Sequence, residues 1–108
     1  MSLNLPEAIN IYFAISNGAD IAKVTDCFCA DALVKDENKT WQGHAAIQQW
    51  QHEAHRAFDY SVEPVNVINQ DPRYTVTSHV EGNFPGSPVQ LTHAFVLSAG
   101  KIASLEIV

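Results

Sequence analysis

Apolar residues recur at helical spacing in the first half of the chain and at strand spacing in the second. Leu5, Ala8, Ile9, Tyr12, Phe13 and Ser16 fall on one helical face. Asn4 is expected to cap that helix, with Pro6 in its first turn and Asn17-Gly18 ending it. Asp20 can cap a shorter helix in which Ile21, Val24 and Phe28 face one way. A short strand is predicted over 32–36, closing on Asp36, and Asn38, Lys39 and Thr40 read as a turn. A further helix is predicted over 43–57. It buries Ile47, Trp50, Ala54 and Phe58 and leaves Gln48, Gln51, His52, His55 and Arg56 in water.

From Tyr60 onward the period becomes two. Strands are predicted over 60–68, 73–84, 89–98 and 102–108, with turns at 69–72 and 85–88. Short connections make these strands an antiparallel meander. The predicted fold class is α+β: a cone-shaped roll in which a curved, mainly antiparallel sheet wraps around three N-terminal helices. Such a cone leaves a cavity between Tyr12, the 32–36 strand, Trp50 and the sheet. Residues 1–108 are read as a single domain.

Composition narrows the function classes. With 46% apolar and 17% charged residues the chain is an ordinary globular one. A net charge of −6 and scattered Lys and Arg argue against a nucleic-acid partner. No apolar run approaches the roughly 18 residues of a membrane span, so no membrane partner is expected. The start of the chain has Glu7 and no basic cluster, unlike a signal peptide. Cys27 and Cys29 flank Phe28, a spacing poor for a disulfide, so reduced thiols and a cytoplasmic location are expected. His52 and His55 stand three apart on a wet helix face without further ligands, so no metal is expected. No phosphate loop or nucleophile elbow is present, and no cofactor is expected.

The blocks IYFAISNGADIAKVTDCFCADALVKDE, WQGHAAIQQW and GKIASLEIV resemble the nuclear transport factor 2-like superfamily, and within it the SnoaL-like and ketosteroid-isomerase-like proteins. The resemblance covers nearly the whole chain. It implies a cystatin-like cone, a small apolar ligand and, for an isomerase- or cyclase-type enzyme, a general-base carboxylate. Tyr12 and Asp36 fall on the isomerases' helix tyrosine and strand-end aspartate. Their late-strand protonated aspartate falls near Thr92, which has no carboxylate. The superfamily hosts many activities, so the fold by itself fixes no reaction.

The candidate catalytic residues are therefore Asp36 as base, Tyr12 as enolate stabiliser, Thr92 as a weaker helper and, in a dehydratase reading, His79 as partner of Asp36. The alternative is a non-catalytic ligand-binding or dimerisation module. Trp50, Phe13, Ala94 and Leu105 are expected to wall the ligand pocket. Arg56 and Arg73 are not placed to bridge carboxylates as in the epoxide hydrolases of this superfamily. By family analogy Thr92, Ala94, Val96, Ala103, Leu105 and Ile107 face inward. Leu91, His93, Phe95, Leu97, Ile102, Ser104, Glu106 and Val108 would then form an apolar outer face. A monomer rarely exposes so much apolar surface, so a homodimer packed through the outer sheet face is expected.

Overall fold

The computed structural model describes residues 3–108; Met1 and Ser2 of the expected domain lie outside them. Helix α1 spans Glu7–Ser16, with Pro6 at its cap position in place of the expected Asn4. Asn17 ends it and ties it to the sheet: its side chain donates to the Val62 carbonyl at 2.8 Å and accepts from the Val62 N–H at 2.7 Å. Asp20 caps the next stretch as expected, accepting from the Ala22 N–H at 2.9 Å. That stretch is a single 3₁₀ turn, Ile21–Lys23, running into α2, Val24–Cys27. Helix α3 covers His44–Ala57.

The strands are β1 (Phe28–Asp36), β2 (Lys39–Gln42), β3 (Tyr60–Gln70), β4 (Arg73–Gly82), β5 (Val89–Ser98) and β6 (Lys101–Ile107). They form one sheet in the order β2-β1-β6-β5-β4-β3. All neighbours pair antiparallel except β1 and β6, which run parallel. The three helical segments pack on one side of this sheet, as the α+β cone requires. No described helix is long and apolar enough to cross a membrane.

Strand β2 corrects the reading of 38–40 as turn alone. Glu37 and Asn38, at φ 51° and 63°, make a tight hairpin, and Lys39 pairs back onto Asp36. Left-handed conformations at both central residues match the twist of a two-residue hairpin. Pro64 sits beside a bulge in β3, an edge strand, where a missing N–H costs no ladder bond.

The larger correction concerns the parity of β5. His93 is 3% exposed and Phe95 1%, both inside, while Thr92 and Ala94 between them are half-buried on the outer face. Phe95 packs edge-on against Tyr12 at 5.5 Å and Phe13 at 5.9 Å. Bulk decides this parity: the alternative inner face, Gln90, Thr92 and Ala94, is too small and polar to fill the core. In β6 a register shift lets Ile102 and Leu105 both turn inward, at 0% and 1% exposure, and Ala103 does not share that burial. The outer face is therefore Thr75, Thr77, His79, Thr92, Ala94 and Val96, not the apolar face expected.

Candidate functional site

The period-two alternation of β1 puts Ala32, Val34 and Asp36 on one face. Ala32 and Val34 are fully buried, and Asp36, last in the row, emerges half-buried where the strand turns into the hairpin. It lines a cavity of about 690 Å³ between α1, α3 and the sheet. That is within the roughly 300–1,000 Å³ of small-molecule sites.

The Trp50 indole N–H donates to the Asp36 carboxylate at 3.3 Å. Trp50 lies parallel to Tyr12, ring centres 6.4 Å apart, and meets Trp41 at 5.9 Å. Burial raises the pKa of Asp36 above the ordinary carboxylate range; the Trp50 hydrogen bond opposes the rise and the Glu37 charge adds to it. Burial pushes the phenol of Tyr12, 3% exposed, well above the usual range, and the Ser16 side chain one helical turn on opposes the rise. Tyr60, at the start of β3, also lines the cavity; burial, with Asp36 nearby, pushes its phenol up to about 12. His55 stacks on Tyr60 with centres 5.2 Å apart and hydrogen-bonds the Ile15 carbonyl at 3.1 Å, so it is not the solvated residue expected.

The cavity thus brings together Asp36, Tyr12 and Trp50 from the expected set. Phe13 and Leu105 are core residues behind the wall, and Ala94 lies on the outer face. Thr92 points away from the cavity, so it cannot help the base. His79 also faces outward, its side chain 39% exposed and 3.8 Å from Glu81, so the Asp36–His79 dehydratase pair is not formed. The histidine that does line the cavity is His93. Sequence reasoning also missed Gln51, 2% exposed, and Tyr60. Gln51 stands one turn after Ile47, the helical spacing that would have found it.

Burial lowers the pKa of His93 from 6.5 to about 4. The unfolded chain therefore takes up a proton that the folded chain refuses. Its contribution to stability is complete above pH 6.5 and is lost as the pH falls toward about 4. Acid is expected to destabilise the fold across that window, and His93→Phe to flatten the slope; urea titrations at a series of pH values measure both.

The family description "SnoaL-like domain" matches residues 9–105, nearly the whole cone. The chain belongs to the SnoaL-like family. Within the nuclear transport factor 2-like fold, this SnoaL-like chain is similar to a candidate polyketide cyclase from Sinorhizobium meliloti. The two share 38% identity over 96% of this chain and 95% of that one, with a TM-score of 0.91. A protein with a ketosteroid isomerase-like fold from Catenulispora acidiphila, solved in complex with trimethylamine, shares 17% identity over 97% and 86% of the chains, TM-score 0.85. SalBIII, an epoxide hydrolase/cyclase-like enzyme of pyran ring formation in salinomycin, shares 21% over 94% and 86%, TM-score 0.78. The last two show likeness of fold alone. No curated protein matches the SnoaL-like chain.

Proposed function

We propose that this SnoaL-like protein is an acid/base enzyme acting on an apolar, carbonyl-bearing small molecule, with Asp36 as the base. The observation that carries the reading is a carboxylate at the mouth of an apolar cavity, held by one indole N–H and made more basic by burial. Asp36 takes a proton from the carbon beside the carbonyl. Tyr12 donates its O–H to the enolate oxygen that develops. In an isomerisation the proton returns to another carbon. In a cyclisation the enolate carbon attacks a second carbonyl carbon, and Asp36 gives its proton to the new alkoxide. The likeness to a candidate polyketide cyclase supports the second course. A two-fold homodimer through the outer sheet face belongs to the same reading, but it would pack Thr75, Thr77, Thr92 and Ala94 rather than the apolar side chains first expected there.

The test is solvent deuterium exchange into a bound ketone, followed by NMR, with Asp36→Asn as the comparison. No exchange above the rate in solvent would leave a ligand-binding module, and exchange unchanged by Asp36→Asn would remove Asp36 as the base.

The base works only when ionised, so the exchange rate is expected to fall as pH drops through the raised pKa of Asp36. Trp50→Phe removes the donor that holds that pKa down. Its acid limb should therefore move to higher pH, and the pH–rate profiles of the two proteins check the direction.

A further inference from the structure

The sheet has one short edge, the 4 residues of β2, and one long edge, the 11 residues of β3. An open edge invites other strands, and native proteins blunt it with cover, proline, bulges or charge. The first half of β3 has three of these devices. The Asn17 side chain takes both the N–H and the carbonyl of Val62, as a neighbouring strand would. Pro64 offers no N–H, and the bulge follows it.

The second half has none. No charge stands between Glu63 and Asp71. Gln70 and Arg73 face each other across a two-residue turn. The alternation of an antiparallel ladder therefore turns the backbone groups of Asn66, Ile68 and Gln70 toward β4, and those of Val67 and Asn69 outward. Among the described residues, neither Val67 nor Asn69 bonds through its backbone to another segment. Val65 and Ile68 are 43% and 53% exposed. The other exposed large apolar residues, Phe58 and Val108, line the cavity; these two do not. Open peptide groups beside open apolar side chains are what strand addition uses.

A second copy of the same edge fits this pattern. Placed antiparallel about a two-fold axis at Ile68, it sets Val67 against the partner's Asn69, and Asn69 against the partner's Val67. Each of these pairs exchanges two backbone hydrogen bonds. Between them Ile68 meets the partner's Ile68 at the close, non-hydrogen-bonded position, apolar on apolar. On the same face Asn66 meets the partner's Gln70, amide on amide, each able to donate and accept. Every copy carries a net charge of −6, so copies repel in most approaches, and this stretch is uncharged.

We propose that residues 66–70 of β3 are a self-association site at which two copies join their sheets edge to edge, antiparallel about Ile68. The site is separate from the outer-face pairing and from the reaction at Asp36. So short a contact belongs with small, transient interfaces, and it is read at concentrations of about 100 μM and above.

Cross-linking and sedimentation test it. Ile68→Cys brings two sulfurs together across the axis. Asn66→Cys is the control on the same face, since its copies stand about 13 Å apart, too far to bridge. Pairing raises the effective concentration of the Ile68→Cys thiols from about 100 μM into the millimolar range. Ile68→Cys is therefore expected to oxidise to a covalent dimer about tenfold faster than Asn66→Cys. It should outpace the unmodified chain, whose own thiols are Cys27 and Cys29, by as much. Thr92→Glu puts a charge on the outer face, so its sedimentation follows the edge alone. It should be a monomer when dilute and approach the mass of a dimer above about 100 μM. Adding Ile68→Lys sets like charges across the axis and should return it to a monomer. Equal cross-linking of the three chains, a Thr92→Glu protein that stays monomeric when concentrated, or a dimer untouched by Ile68→Lys would each overturn the proposal. Should Thr92→Glu fail to fold, the cross-link decides alone.

Discussion

Asp36→Asn is expected to slow proton exchange on a bound ketone by about 10²–10⁴-fold, the usual cost of removing a general base, while leaving ligand affinity nearly intact. The amide keeps the carboxylate's shape and an oxygen that can accept the Trp50 N–H found at 3.3 Å. It cannot take a proton from carbon at neutral pH. The same substitution should also raise stability slightly. Burial raises the folded-state pKa of Asp36 above its ordinary 3.8, so the folded chain holds the proton more tightly than the unfolded one. The contribution to stability is complete below 3.8 and is lost as pH rises through the raised value. At neutral pH the ionised carboxylate opposes folding, and asparagine removes that opposition. A rate loss together with a higher melting temperature is the signature of a group kept for chemistry. An unchanged exchange rate would remove Asp36 from the mechanism.

Phe95→Glu is expected to abolish the fold, because Phe95 is a core residue at 1% exposure. Losing the ring contacts alone costs about 3–5 kcal/mol. The new carboxylate would also sit among Tyr12, Phe13 and His93 without a cationic partner. Total stabilities of domains are about 5–15 kcal/mol, so little is left. The variant should show no near-ultraviolet circular dichroism and no cooperative melt. Thr92→Glu is the control one residue away. Thr92 is half-buried on the outer face, so that variant should stay folded. If two copies pair through this face, sedimentation should show it as a monomer beside a dimeric unmodified protein. A folded, soluble Phe95→Glu protein would mean that β5 faces the other way.

The elements themselves were legible along the chain. The spacing of Ala8, Ile9, Tyr12 and Phe13 announces α1, and Asp20 caps the helical stretch it was expected to cap. The bounds of β5, Val89–Ser98, match the expected strand. Local signals suffice there because capping, turn conformation and side-chain period depend on neighbours in the chain. The hairpin that adds β2 was partly hidden, since Glu37 at a left-handed position is a poor advertisement of a turn.

The candidate site divides differently. Asp36 and Tyr12 could be singled out early, one by its place at a strand end and the other by its helical face. His93 was within reach too. In Leu91-Thr92-His93-Ala94-Phe95 the bulky residues alternate with small ones, and bulk points His93 inward. The analogy that set Thr92 inward pointed the other way.

The sequence by itself determined the α+β order, the helix that carries Tyr12 and the strand that ends on Asp36, because periodicity is written locally. Only the tertiary structure decided that His93, Gln51 and Tyr60 share a cavity with Asp36 while Thr92 and His79 do not. A strand's two faces are equivalent until another layer packs on one of them. Here the rings of Tyr12 and Phe13 on α1 claim the Phe95 face of β5, and that choice turns every other side chain of the strand outward.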